Sequence, residues 1–373
     1  MTGIYIHIPF CASKCGYCAF YSVTDTSDIP QYLDALETEI QKRTNSVKEK
    51  ADTVYIGGGT PSVLPRGSIA RVIKKLRECF LIVQSASVTV EANPDSCCGA
   101  FARECADSGV NRISLGLQSH SPSILKAAGR RHSADDFLRA VQHIKEAGIQ
   151  DVAADLITGF ANQTVQSVCQ SINFLAELDA IKHISLYALT AEEGTPLYKT
   201  GFVPNADLQA DMYAAGVKLL ERLGYMRYEV SNFAKRGFES KHNKKYWSGE
   251  PYYGFGAGAH SFIRTPQNNP YVAERIENHS DLSVYNSGKF IKSRYPLTRD
   301  DRTKEIIMLS LRTREGLNFA QLTAETGYDL LHDKFGEISK LQDVGAVTVQ
   351  DGCLRVANDY YYILDTILVK LLF

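Results

Sequence analysis

Six short runs of apolar, β-branched and aromatic residues in the first half of the chain constrain its fold more than any other feature. They are GIYIHIPF from residue 3, TVYIGG from 53, ASVTVEAN from 86, RISLGLQS from 112, DVAADLITG from 151 and HISLYALT from 183. Between them stand apolar residues at helical spacing: Tyr32, Leu33, Leu36 and Ile40, then Ile69, Val72, Ile73 and Leu76, then Phe137, Val141 and Ile144. Most intervals between successive starts suit one strand, one helix and two loops, so the runs predict six consecutive βα units and a parallel sheet covered by helices. Polar residues gather just after the strands, at His7 and the first cysteines, Gly57 to Thr60, Glu91 and Asn93, Gln118, Asp155 and Tyr187. Contributions from many strand ends favour a barrel or partial barrel over an open sheet with a single switch point.

After about residue 200 the pattern changes. A helix-like segment at 207–223 leads through YMRYEVSNFA to a polar, aromatic loop, RGFESKHNKKYWSGEPYYGFGAGAHSF, with the chain's single tryptophan, Trp247, and five glycines from Gly237 to Gly258. Residues 267–298 read as an irregular link. From 299, helices near 302–313, 318–326 and 329–342 precede GAVTVQDGCLRV, where Asp351-Gly352 between two strand-like runs predicts a hairpin turn. The division expected is therefore 1–266, a link at 267–298, and a small winged-helix-like domain at 299–373. With 41 Lys+Arg against 42 Asp+Glu, the net charge of -1 lacks the basic excess of a protein that tracks nucleic acid, so a lid or structural role is expected. The short tail YYYILDTILVKLLF, which carries Asp365 and Lys370, suits a packing helix. No basic segment followed by an apolar run opens the chain, and no uncharged apolar run is long enough to span a bilayer, which predicts a cytoplasmic protein.

The strongest chemical signal is Cys11-x3-Cys15-x2-Cys18, just beyond the first strand. Thiolates are the usual ligands of iron–sulfur clusters, and this spacing lets one short loop wrap three corners of a cubane. A structural zinc site needs a fourth ligand nearby, and the loop continues with Ala19 and Phe20. Three thiolates leave one iron with an open position, which chemistry at a metal requires. The remaining cysteines, Cys79, Cys97, Cys98, Cys105, Cys169 and Cys353, are expected to be small buried side chains.

With YIHIPFCASKCGYC, YIGGGTPS, VTVEANPD, RISLGLQS, GRRH, DLITG and HNKKYW in this order, the chain resembles the radical S-adenosylmethionine (SAM) superfamily, in the HemN/HemW branch. The resemblance covers most of the chain and implies a (β/α)6 partial barrel, a [4Fe-4S] cluster on Cys11, Cys15 and Cys18, and SAM chelating the open iron. In that superfamily one electron then cleaves SAM to methionine and a 5′-deoxyadenosyl radical. Carried over by motif, Tyr5, Gly58, Gly59, Thr60, Glu91, Gln118, Arg130 and Asp155 would line the SAM site, with Tyr17 against the adenine. The bare backbone of Gly57 to Thr60 would present amides to the amino acid part of SAM.

His242-Asn243-x-x-Tyr246-Trp247 separates the members of the branch. Imidazole can ligate heme iron, and Tyr and Trp supply flat apolar surface for a porphyrin. The resemblance implies a heme-binding element at His242, Tyr246 and Trp247; His260 in GAGAHSF is a second candidate ligand, and His7, four residues before the first cysteine, reads as a residue supporting the cluster loop or as a core residue. It further implies a heme chaperone that delivers heme to client hemoproteins such as respiratory enzymes, draws on an electron donor, and leaves room for peripheral membrane contact. Two rivals share the fold: an oxygen-independent coproporphyrinogen III dehydrogenase and a radical heme-degrading enzyme. Phe20 stands where such dehydrogenases carry a fourth cysteine, which counts against the first. Thr158-Gly159-Phe160-Ala161 replaces a YGLP loop common among relatives and leaves its local shape open.

Overall fold

In the computed structural model, which describes residues 1–44, 48–265 and 272–373, the six apolar runs are strands buried on both faces. This is why they read as nearly continuous hydrophobic segments. They are β1 (Thr2–Ile8), β2 (Lys50–Gly58), β3 (Leu81–Ala92), β4 (Arg112–Gln118), β5 (Asp151–Thr158) and β6 (Ile181–Ala188). Each pairs in parallel with the next. The connecting helices are α1 (Ile29–Arg43), α2 (Ser68–Cys79), α3 (Gly99–Asp107), α4 (Pro122–Ala127), α5 (Ala134–Glu146) and α6 (Val165–Ala176). Their apolar stripes, including Tyr32, Leu36, Val72, Leu76, Phe137 and Ile144, join the strands in one core.

Beyond β6 come α7 (Pro196–Lys199), α8 (Ala206–Arg222), β7 (Met226–Arg227), β8 (Asn232–Ala234), α9 (Lys241–Ser248), β9 (Tyr252–Phe255), β10 (His260–Arg264), β11 (Ala273–Asn278), α10 (Leu282–Asn286) and β12 (Ile291–Leu297). β8 adds antiparallel to β6, and β9 adds parallel to the free edge of β1. The resulting sheet has 12 strands in the order β12-β11-β10-β9-β1-β2-β3-β4-β5-β6-β8-β7, with no pairing between its ends among the described residues. The partial barrel is therefore continued by strands on both edges.

Two expectations change. The stretch read as an irregular link contributes β11 and β12 to the main sheet; its first residues, 267–271, and position 266 lie outside those described. The HNKKYW segment, read as a loop, is the helix α9. Ser240 caps it by accepting the Asn243 N–H at 3.3 Å, and Gly249, at φ 61°, closes its end in the left-handed conformation.

The remaining elements are α11 (Arg299–Ser310), β13 (Leu317–Asn318), α12 (Phe319–Thr326), α13 (Leu330–Asp333), α14 (Phe335–Asp343), β14 (Val347–Gln350), β15 (Cys353–Val356) and α15 (Leu364–Leu372). They build a second core around a three-stranded sheet of order β13-β15-β14. Asp351 and Gly352 turn the β14–β15 hairpin at φ 53° and 70°. The apolar tail is α15, whose Leu364, Ile367, Leu368 and Leu371 are buried in that core. Among the described residues no helix is long and apolar enough to cross a membrane.

A fully buried carboxylate joins α1 to the added strands. Glu39 accepts from Arg43 Nη1 at 2.5 Å, Gly256 N–H at 2.9 Å, Asn278 Nδ2 at 2.7 Å and the Tyr285 hydroxyl at 2.6 Å. Arg43 also donates to the Gly254 carbonyl at 2.8 Å and to Ser261 Oγ at 2.8 Å. Removing one member of such a buried pair leaves its partner uncompensated. Glu39→Ala is expected to lower the free energy of unfolding by about 3–5 kcal/mol, measured by chemical denaturation. Glu39→Gln, which keeps the shape and an acceptor, should cost less.

Candidate functional site

The carboxyl ends of β1 to β6 open into a cavity of about 560 Å³, within the usual size range of ligand sites. Cys11, Cys15 and Cys18 form one wall. Around them stand Tyr17, Gly58, Gly59, Thr60, Glu91, Gln118, Arg130 and Asp155, so eight of the nine residues expected at the SAM site line a single space. Tyr5 is the ninth and lies deeper. Its hydroxyl is 3.0 Å from His7 Nδ1, and its ring lies 6.3 Å from Tyr55 and 6.5 Å from His242.

The cysteine loop is held from three sides. Cys11 N–H donates to the Val23 carbonyl at 2.9 Å, Leu197 N–H to the Gly16 carbonyl at 2.8 Å, and the Tyr17 ring packs edge-on against Phe160 at 5.3 Å. Phe160 therefore serves a purpose in the variant loop: with Ile124, Ala128 and Leu189 it forms a small apolar cluster supporting Tyr17. Cys11 Sγ accepts from the Thr60 hydroxyl at 3.5 Å and Cys15 Sγ from Arg130 Nη1 at 3.6 Å. Burial pushes the Cys18 thiol up. None of the three is in a disulfide. Three thiols on one short loop lining one cavity suit a polynuclear cluster, which gives each thiol its own iron.

The glycine turn differs from expectation in one respect. Gly58 N–H donates to Glu91 Oε2 at 3.1 Å, Gly59 N–H to the Ile8 carbonyl at 2.7 Å and Thr60 N–H to the Phe10 carbonyl at 2.8 Å. These amides are spent inside the protein and are not presented to a ligand. The glycines are needed for close packing instead: a Cβ on Gly59 would stand 2.6 Å from the Phe10 carbonyl oxygen.

Two residues lining the cavity carry polar atoms without a protein partner: Gln118 Oε1, an acceptor, and Arg130 Nε, a donor, are buried and unbonded. Gln118 also sits at φ 67°, unusual for a residue with a side chain and common at functional turns. Arg130 is aimed by Asn93 Oδ1 at 2.8 Å and the Gly116 carbonyl at 2.7 Å. Burial, reinforced by Asp155, pushes the Glu91 carboxyl up to about 7, while the hydrogen bonds from Tyr55 and Gly58 pull against the rise. Burial likewise raises Asp155. Donors and acceptors for hydroxyls, an ammonium and a carboxylate are thus present, and the donor set fits SAM.

Two members of this constellation were not singled out in the sequence as site residues. Tyr55 donates to Glu91 Oε1 at 2.6 Å, and Asn93 bridges Arg130 to Thr60, with Nδ2 to Oγ1 at 3.2 Å. Alternation along the strands carried the signal: Tyr55 shares its face of β2 with Gly57, and Asn93 follows Glu91 by two.

Of the three expected heme residues, His242 and Tyr246 meet, while Trp247 lines a separate cleft. His242 is buried at the amino end of the barrel, opposite the cysteines. Its Nδ1 lies 2.9 Å from Thr53 Oγ1 and its Nε2 2.8 Å from the Tyr246 hydroxyl, so both ring nitrogens are engaged. Tyr246 packs edge-on against Tyr252 at 4.7 Å. Trp247 faces the other way, into a cleft of about 320 Å³ shared with Lys244, Tyr228, Ile306 and Leu322. His242 does not fit as an axial ligand, because burial and the helix hold it against β2. His260 is exposed on β10. His7 is a core residue, with Nε2 2.9 Å from the Tyr21 carbonyl. Of the scattered cysteines, Cys79, Cys97 and Cys105 are buried as expected, Cys169 and Cys353 are half-buried, and Cys98 is exposed before α3.

Residues 5–175 match the radical SAM superfamily, and residues 297–357 match the HemN C-terminal domain. A heme chaperone HemW from Lactococcus lactis is 37% identical over 84% of this chain and 82% of its own length. One from Bacillus subtilis is 33% identical over 88% of each. The solved structure of coproporphyrinogen III oxidase (HemN) from Escherichia coli, a radical SAM enzyme, superposes with a TM-score of 0.84 at 22% identity, covering 99% of this chain and 89% of that one.

The setting of His242 has a measurable consequence. Burial, aided by the Lys245 ammonium, holds its imidazole down at about 3 against 6.5 when unfolded, so the folded state favours the neutral ring. Its stabilising contribution is complete above 6.5 and is lost as pH falls towards 3. Between pH 7 and 5 the loss attributable to this ring is about 2 kcal/mol by linkage. Denaturant titrations at the two pH values should show a smaller difference in His242→Gln than in the parent.

Proposed function

From the premise that this chain belongs to the HemW family of radical SAM proteins, we propose that it is a heme chaperone. It binds a [4Fe-4S] cluster and SAM at the barrel top and carries heme as cargo to hemoproteins, respiratory enzymes among them. The observation that carries this reading is the 37% and 33% identity to two HemW proteins, over more than four-fifths of both chains in each case. Radical SAM membership itself implies the cluster and SAM.

Cys11, Cys15 and Cys18 would hold the cluster, which when bound supplies an iron with an open position for SAM and, with an external donor, the electron that cleaves it. Thr60, Glu91, Gln118, Arg130 and Asp155 would orient SAM, and Tyr17, braced by Phe160, would cover one side of its adenine. Trp247, unlike the buried His242, lies where a porphyrin can reach it, beside the Lys244 ammonium in the cleft on α9. The dehydrogenase rival rests on the shared fold alone. Phe20, at the position of the extra cysteine, is 69% exposed at the mouth of the cavity and supplies no thiol to the chemistry there.

Anaerobically reconstituted protein loaded with heme should pass it to the apo form of a heme-containing respiratory enzyme, read as the appearance of that enzyme's Soret band and activity. Coproporphyrinogen III should remain unchanged beside it. Multiple turnovers to protoporphyrinogen IX would instead establish the dehydrogenase.

Replacing Cys11, Cys15 and Cys18 together by Ala should abolish the brown chromophore and about four irons per chain. Near-unchanged circular dichroism would show that the fold survives, and retention of full iron by this variant would place the cluster elsewhere.

A further inference from the structure

The buried end of α9 lies within reach of the barrel-top site. The His242 ring stacks on Tyr55 with centroids 5.3 Å apart and planes 27° from parallel, and Tyr5, directly across in the β1–β2 register, lies 6.5 Å away. Tyr55 in turn donates to Glu91 Oε1 at 2.6 Å. Thr53, which holds His242 Nδ1, shares the inward face of β2 with Tyr55. Neighbouring side chains repeat the arrangement: Ser240 and Asn243 line an internal chamber of about 40 Å³ together with Tyr55, Glu91 and Asp155, and the last two also line the large cavity above. α9 is thus the floor of the barrel interior, and Glu91 stands two layers above it.

We propose that His242 is a positioning residue for Glu91, acting through Tyr55, and that its ring is not the axial ligand of a bound heme. The imidazole fills the space under the Tyr55 ring and is locked by Thr53 and Tyr246. This fixes where the phenol oxygen presents its proton to the carboxylate. Emptying that space lets the Tyr55 ring drop and turn, and Glu91 loses one of its two fixed donors, the other being Gly58 N–H. The proposal rests on the reading of Glu91 as part of the SAM site. It separates a family motif into a buried His242, held by the half-buried Tyr246, and Trp247, which lines a separate cleft.

The test uses the reconstituted full chain and measures SAM affinity by equilibrium dialysis and the Soret band of added heme in each variant. His242→Ala is expected to weaken SAM about three- to tenfold, the size of one misaligned hydrogen bond, with the heme spectrum unmoved. His242→Gln, able to reach Thr53 and Tyr246, should recover most of the affinity, which generalised loosening of the fold would not do. Should His242→Ala fail to fold, Thr53→Val releases the ring from the β2 side and should weaken SAM in the same direction. Unchanged SAM affinity in the folded variants, or loss of a low-spin imidazole spectrum in His242→Gln, would overturn the proposal. Failure of the parent itself to bind SAM would remove the reading of the site, and failure of the parent to bind heme would remove the chaperone reading while leaving the SAM comparison decisive.

Discussion

The top of the barrel depends on three consecutive residues without side chains. A Cβ on Gly57 would stand 2.7 Å from Glu91 Oε2, one on Gly58 2.6 Å from His7 Nδ1, and one on Gly59 2.6 Å from the Phe10 carbonyl oxygen. Gly58 moreover holds φ 108°, which side-chain-bearing residues rarely adopt. Because these spaces are free, the end of β2 closes onto the end of β1, and the Gly59 and Thr60 amides bond to Ile8 and Phe10. The entry to the cysteine loop is thereby tied to the strand that neighbours Glu91. Three functional groups on three strands share one cavity because a ladder and a turn bring them there.

Below that cavity the barrel is more polar than the layered apolar packing of many α/β barrels. Arg112 is buried and donates to both oxygens of Asp151 at 2.7 and 2.8 Å and to the Phe238 carbonyl at 3.0 Å. Its Nη2, with His183 Nδ1, finds no protein partner, and both residues line the small inner chamber. Burying such groups is expensive unless they are paired or hydrated, and the chamber has room for water. The interior thus spends stability to keep Glu91 and Asp155 in a hydrogen-bonded setting. Packing outside the sheet, from the helices around Tyr32, Leu76, Phe137 and Ile144, offsets that cost.

The six strands were legible because each is buried on both faces and therefore apolar throughout, and the intervals between them are set by the length of a covering helix. The edge strands were not. β12 reads IKSRYPL, half exposed and ending near Pro296, so it carries neither a continuous apolar run nor clean alternation. α9 was hidden by composition, since HNKKYWS is rich in Lys and Asn, although Ser240 before it and Gly249 after it are ordinary helix boundaries. The cavity residues were readable where a motif lies on one strand end. The role of Tyr55 required the third dimension: it depends on β2 and β3 lying side by side, which no local spacing records. The same limit misplaced His242. Its neighbours in sequence suggest an accessible ring, and only the packing of α9 against Thr53 reveals a core residue.

The electrostatics of the cavity narrow the kind of ligand it can take. Glu91 and Asp155 look into one space, and burial keeps both carboxyls above their ordinary range. Arg130 is held by Asn93, the Gly116 carbonyl and Cys15, and its Nε has no protein partner. Burial works against the charged form of both carboxyls, and a ligand carrying a sulfonium and an ammonium beside them favours that form, so linkage returns the difference as affinity. Hydroxyls on the same molecule then meet carboxylates that accept strongly, as charge-assisted hydrogen bonds do. Cationic charge and a ribose on one molecule is the combination that this arrangement favours over an uncharged nucleoside, and it is the combination that SAM presents.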